Sequence, residues 1–158
     1  MAKVKEEKPP FIILTDTREV NVPPFPEGCV VERKLLKEAD YSSPFLENIA
    51  RIERKAPGDL ASTLSWGRER FDREVQRLLK YRFRCIVVEA DLSEVYRCSA
   101  MNPNAILGSL ASMYSRYDLP TFFAVNPVGA GRLIAGILRR LEERVRAEQN
   151  PQPPVESG

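Results

Sequence analysis

Two short apolar runs constrain this chain more than any other feature. Phe11-Ile12-Ile13-Leu14 and Cys85-Ile86-Val87-Val88 are continuous, partly β-branched, and closed by Thr15-Asp16 and by Glu89. A run without a polar face suits a strand buried on both sides, as in the centre of a layered sheet. Cys29 to Leu36, Ile49 to Lys55 and Thr121 to Val125 are further strand candidates. Pro23-Pro24-Phe25-Pro26 forces an irregular loop, and Asp40-Tyr41-Ser42-Ser43-Pro44 reads as a turn. Pro57-Gly58-Asp59 starts a helix carrying Leu60 and Leu64. After an interruption at Trp66-Gly67, Phe71, Val75, Leu78 and Leu79 form one helical face. Asn102-Pro103 and Asn126-Pro127 are matching helix starts, with Asn as the cap and Pro in the first turn. The second leads a helix whose apolar set is Leu133, Ile137, Leu141 and Val145. Strands first, then helix and strand in alternation, predict an α/β fold with a mixed central sheet flanked by helices. One domain is expected over residues 11–147, after a charged leader (1–10) and before a Pro-rich tail (148–158).

Composition narrows the chemistry. The 158 residues include no histidine, which excludes a Ser-His-Asp triad, a Cys-His dyad and His-bearing zinc sites. Cys29, Cys85 and Cys98 are widely spaced and read as buried apolar residues rather than as a disulfide framework. No apolar run approaches the ~20 residues of a membrane span, and the N-terminus lacks a signal-like stretch. An intracellular protein with no membrane partner is expected. An enzyme of this composition must work through carboxylates, lysines, hydroxyls or an oxygen-ligated metal.

Net charge is only +2, but its distribution is uneven. Between Arg51 and Arg84 lie ten basic and five acidic residues. Arg70, Arg73, Arg77 and Lys80 lie off the apolar helical face, and Arg68, Arg70, Arg73 and Arg77 are candidates for binding a polyanion such as DNA.

The sharpest segment is Ile52-Glu53-Arg54-Lys55, with Asp59 beyond it. Alternate side chains of a strand share a face, so Glu53 and Lys55 project together and Arg54 points away. An acid holding a divalent cation beside a lysine that orients water suits phosphodiester cleavage. Mg²⁺ demands further oxygen ligands, and Asp40 and Asp16 precede Glu53 in the turn and at the first strand's end.

Asp16-Thr17-Arg18-Glu19, Asp40-Tyr41 and Glu53-Arg54-Lys55-x-x-x-Asp59-Leu60 together resemble the nuclease domain of XPF-family structure-specific endonucleases. The likeness runs over residues 11–145. It implies a restriction-endonuclease-like core and Mg²⁺- or Mn²⁺-dependent cutting of branched DNA (flaps, forks, junctions). It implies that Asp40 and Glu53 are metal ligands, that Lys55 positions water, and that Asp16 is a further metal-site carboxylate. Arg18, Glu19, Arg54 and Asp59 would support the site or contact the scissile phosphate. It also implies pairing into a homodimer or heterodimer, for which the small residues Gly108, Ser109, Ala111 and Ser112 offer close packing.

Three local features depart from or complicate the pattern. Ala39 stands where the family usually has glycine, which disfavours a positive-φ turn there. Arg73 and Glu74 stand near where relatives often carry glutamine. Glu32-Arg33-Lys34 is a second Glu-Arg-Lys, with Glu38 rather than Asp after it, and reads as a charged strand end. The alternative to a nuclease is a non-catalytic DNA-binding or scaffold subunit of the same fold, paired with a separate nuclease. Such a subunit has no need of all five residues Asp16, Asp40, Glu53, Lys55 and Asp59.

Overall fold

The computed structural model describes residues 7–65 and 68–153. Trp66, Gly67 and the side chain of Arg68 lie outside the described residues, as do the first six residues of the leader and the last five of the tail.

Six strands form one sheet in the order β2-β1-β3-β4-β5-β6. They are β1 (Phe11–Asp16), β2 (Cys29–Lys34), β3 (Tyr41–Ser42), β4 (Ala50–Lys55), β5 (Phe83–Val88) and β6 (Thr121–Phe123). β1 pairs with β2 in parallel, and β4, β5 and β6 pair in parallel with one another. The two-residue β3 joins both halves in antiparallel fashion, so it alone runs against the rest. The mixed sheet is therefore as expected, but β3 lies inside the segment that reads as a turn. So short a strand leaves no periodicity in a sequence; its pairing with Leu14, Thr15 and Ile52 defines it.

Five helices cover the two faces: α1 (Pro57–Ser65), α2 (Arg68–Leu78), α3 (Leu92–Cys98), α4 (Pro103–Tyr117) and α5 (Pro127–Gln149). Alternation along β5 divides the core. Ile86 and Val88 pack with Leu60, Phe71, Val75, Val95, Ile106 and Met113 from α1 to α4. Cys85 and Val87 pack with Ile13, Ile52 and the Ile134–Leu138 stripe of α5. Asn102 and Asn126 cap as expected, each accepting a 2.8 Å bond from a backbone N–H of the first turn. α3 has no counterpart in the sequence reading, since a seven-residue helix with one buried residue, Val95, shows no apolar stripe.

α5 buries a different stripe from the one its large residues indicate. Ala130, Gly131, Ile134, Ala135, Leu138 and Val145 are buried, whereas Leu133, Ile137 and Leu141 are only partly so. The reason is close approach: a Cβ on Gly131 would lie 1.9 Å from the carbonyl oxygen of Pro24. Small residues let the helix sit against the Pro-rich loop, whose Phe25 meets Tyr41 edge-on at 5.8 Å. α5 continues to Gln149, beyond the expected boundary at 147, and Glu148 pairs with Arg82 at 2.6 Å. The three cysteines are free, and Cys85 is buried; Cys98 is exposed, contrary to its reading as an apolar residue. Among the described residues no helix is long and apolar enough to cross a membrane.

Ala39 adopts φ +58°, the left-handed turn that its side chain disfavours. The turn is imposed from both sides. Asp40 N–H donates to Ile52 O at 3.1 Å, and Asp16 N–H donates to Asp40 O at 2.8 Å, so the chain must bend where it does. Ala39→Gly is expected to stabilise the protein by about 0.5–1 kcal/mol, after subtraction of glycine's larger unfolded-state entropy. A melting temperature unchanged or lowered in thermal denaturation would contradict this strain.

Candidate active site

Because β1, β4 and β5 run the same way, their carboxyl ends meet at one edge of the sheet. The reversed β3 begins at that same edge. The sequence places an acid at each of these points: Asp16 at the end of β1 and Glu19 beyond it, Asp40 before β3, Glu53 near the end of β4, and Glu89 after β5. Sites of open α/β sheets gather at this edge.

Two arginines divide the acids into groups. Arg54 is 9% exposed and lies between Glu19, at 2.5 Å, and Glu89, at 3.0 Å. Its guanidinium is thus paired with two carboxylates. Arg18 holds Asp16 through its Nε at 2.8 Å and also bonds Leu36 O. Asp16 further accepts from the backbone N–H groups of Arg18 and Leu36, both at 2.8 Å. Burial alone would raise the Asp16 carboxyl; these hydrogen bonds outweigh it and hold the group below its ordinary range. Both Asp16 oxygens are therefore occupied, and a cation would have to displace Arg18 to reach them. Asp16 lines the same cavity as Asp40 and Glu53, and its bonds to Arg18 and Leu36 also tie the end of β1 to the exit of β2.

Asp40 and Glu53 remain uncompensated by any arginine fork. Both line a cavity of about 240 Å³ between the strand ends and α2. Asp40 Oδ2 accepts the backbone N–H of Arg54 at 2.8 Å, which aims its carboxylate. Burial is the first cause lifting Asp40 to about 6, with the charge of Glu19 adding to it. Burial likewise pushes Glu53 up to about 8, aided by the charge of Asp40 and opposed by Lys55. Lys55 Nζ lies 3.8 Å from Glu53 Oε1, on the same face of β4 as expected, and is 10% exposed at its side chain. Two carboxylates that resist ionising together form a site that a cation would relieve.

Among the described residues no cluster of three or more acids and cysteines is close enough to cage a metal alone. The donor set still fits Mg²⁺ or Mn²⁺. Mg²⁺ binds through one or two carboxylates and keeps waters and substrate phosphate oxygens for its other positions. Asp40 and Glu53 supply those carboxylates.

Other expected residues separate. Asp59 is exposed in the first turn of α1 and does not line the cavity, so the spacing after Glu-Arg-Lys does not bring it to the site. Of the α2 cations, Arg77 lines the cavity, Arg73 is exposed outside it, and Arg70 is drawn to Glu74 at 3.5 Å. Glu32, Arg33 and Lys34 lie on the exposed edge strand β2, where Lys34 pairs with Glu47 at 2.7 Å. Lys37, Glu74 and Glu89 were not singled out as site residues. Lys37 and Glu74 line the cavity, and only Glu89 had a visible signal, an acid closing an apolar strand as Asp16 does.

The sequence matches the ERCC4 domain over residues 9–137. Among solved structures, XPF from Aeropyrum pernix is 26% identical, with a TM-score of 0.68, over 87% of this chain and 69% of that one. The same protein in complex with DNA is 25% identical, with a TM-score of 0.69, over 85% of this chain and 66% of that one. The chain thus spans about two thirds of the XPF chains it matches. No curated protein sequence matches it. A mixed sheet of this order, built around Asp40 and the Glu53-Arg54-Lys55 strand, has the restriction-endonuclease-like fold of XPF, and the chain belongs to the ERCC4 domain family.

Proposed function

We propose that this chain is a metal-dependent DNA endonuclease that hydrolyses phosphodiester bonds in branched DNA. The observation that carries the reading is the placement of Asp40, Glu53 and Lys55. Two crowded carboxylates line one cavity at the strand ends, with Lys37 and Arg77 on its wall, and Lys55 Nζ lies 3.8 Å from Glu53 Oε1. Branched DNA is favoured by the family resemblance, and DNA itself by the DNA complex of the similar XPF chain.

Asp40 and Glu53 would hold Mg²⁺ or Mn²⁺, which supplies Lewis-acid polarisation of the phosphate and lowers the pKa of a bound water. The chain's own residues do the rest. Arg54 N–H fixes the Asp40 carboxylate, and the Arg54 guanidinium anchors β4 against Glu19 and Glu89. Lys55, held beside Glu53, orients the attacking water and offsets negative charge developing on the phosphate oxygens. Water oxygen bonds to phosphorus, the bond from phosphorus to one sugar oxygen breaks, and that oxygen takes up a proton. Arg77 and Lys37 hold the phosphate backbone at the cavity wall. Pairing with a second chain of this fold is proposed through α4, where Leu107, Ala111 and Tyr114 are exposed along one face.

The direct test offers end-labelled flap, fork, nicked-junction and linear duplex DNA to the protein with Mg²⁺, Mn²⁺ or EDTA. Cutting is expected with either metal and not with EDTA. Asp40→Ala and Glu53→Ala are each expected to lower the rate by at least ~100-fold, the scale of removing one stabilising group at a reacting phosphate. DNA that binds yet stays intact under every condition would favour the scaffold subunit.

The crowded carboxylates also set a pH dependence that is independent of turnover. A carboxyl raised on folding contributes stability below its unfolded value and loses it as pH rises through its folded value. Metal-free protein should therefore lose stability relative to Glu53→Gln between about pH 5 and pH 8, the range bounded by the ordinary and raised values. Mg²⁺ or Mn²⁺ should raise the melting temperature, and more at pH 8 than at pH 6. Parallel melting curves for wild type and variant across this range, or a cation effect blind to pH, would refute it.

A further inference from the structure

A second groove of about 430 Å³ opens beside the catalytic cavity, and Lys37 lines both. Its remaining walls come from Leu35 just after β2, Asn48 in the loop before β4, Arg51 on β4, and Lys80 and Tyr81 in the turn after α2. The charges here are distinctive. Lys80 is paired with Glu38 at 2.7 Å, and the groove's only acid, Glu47, is paired with Lys34. Arg51 and Lys37 have no carboxylate partner among the described residues.

Arg51 is unusual. It is 4% exposed, stacks 4.4 Å over the Tyr81 ring, and donates only to the backbone carbonyls of Glu38, Glu47 and Ala50. Carbonyl dipoles satisfy its N–H groups but do not cancel its charge. The groove therefore has a buried, rigidly oriented cation in its wall, an unpaired lysine at its junction with the cavity, and Leu35 at 69% exposure on its lip. Arg51 ties the loops at Glu38 and Glu47 to β4, but its net charge stays uncompensated by any carboxylate, and the exposed Leu35 contributes nothing to the core.

We infer that this groove carries the DNA strand beyond the scissile phosphate. Its backbone would run from Asp40 and Glu53 past Lys37 toward Arg51, with Leu35 meeting a sugar or base. The inference rests on the endonuclease reading and adds to it a path that the cations of α2 do not define. One polyanion spanning both cavities explains why Lys37 is common to them and why the groove's only acid is neutralised. A dinucleotide or free phosphate would need only one of the two.

The test is binding of fluorescently labelled flap and single-stranded DNA, followed by anisotropy in EDTA over a range of salt. The proteins are wild type, Lys37→Gln, Leu35→Glu and, as control, Arg140→Gln on the exposed side of α5. All three substituted side chains are exposed, so folding is not at stake. Lys37→Gln should weaken binding about fivefold at low salt and reduce the slope of log K against log salt by about one. Leu35→Glu should weaken it by at least as much. Because Leu35 lines only the second groove, its effect separates that groove from the catalytic cavity. Arg140→Gln should match wild type. Wild-type affinity and slope in both groove variants would overturn the path while leaving the endonuclease reading intact. Failure of the wild type to bind DNA at all would overturn both.

Discussion

The arrangement of this protein depends on one buried cation. Arg54 sits at 9% exposure between Glu19 and Glu89, and so ties the segment after β1 and the end of β5 to β4, which lies between them in the sheet. Taking a guanidinium out of water is costly, and two carboxylates with good geometry are what make the position tenable. Loss of both acids would leave the guanidinium stranded in a dry environment, the situation that costs about 3–5 kcal/mol for a buried pair. The same residue's backbone N–H aims Asp40. Structural and chemical roles thus meet on one strand. Alternation sends Arg54 to the α5 face, and sends Glu53 and Lys55 to the face of α1 to α4.

The acids at the sheet edge divide by how they are compensated. Glu19 and Glu89 are consumed by Arg54, and Asp16 by Arg18 and two backbone N–H groups. Asp40 and Glu53 receive one N–H bond and one lysine contact between them. Their raised proton affinities follow directly, since burial and mutual repulsion disfavour a second negative charge. The strained turn at Ala39 belongs to the same pattern. It places Asp40 between β1 and β4 at a conformational cost that the backbone bonds on either side offset.

Much of this was legible in the sequence, for identifiable reasons. The apolar runs that became β1 and β5 are buried on both faces, and such burial demands continuous hydrophobicity. The paired Asn-Pro starts are local chemistry and needed no tertiary context. Glu53 and Lys55 share a face because strand geometry has a period of two. What failed was whatever tertiary contacts decide. β3 exists because β1 and β4 need a bridge, not because Tyr41-Ser42 prefers a strand. Asp16's bonds to Arg18 and Leu36 and the exposure of Asp59 on α1 are likewise set by tertiary contacts that spacing does not carry. The second Glu-Arg-Lys, which Glu38 rather than an aspartate follows, lies on the exposed edge strand β2, with Lys34 paired to Glu47. Lys37 and Leu35 carry no pattern at all; their interest comes from the groove they share.

The placement of cations answers a difficulty posed by the carboxylates. In the endonuclease proposed above, two acids presented to a metal would also repel the polyanion to be cut. A net charge of +2 spread evenly would give little attraction. Here the excess is concentrated where it can act: Lys37 and Arg77 at the cavity wall, Arg73 on the outer face of α2, and Arg51 beneath the adjoining groove. A low-dielectric wall strengthens the field of a charge embedded in it, so Arg51 counts for more than an exposed lysine screened by salt. The acids that could cancel this field, Glu38 and Glu47, are instead paired with Lys80 and Lys34. Positive charge is therefore supplied beside the carboxylates rather than among them, which leaves Asp40 and Glu53 without an arginine partner among the described residues.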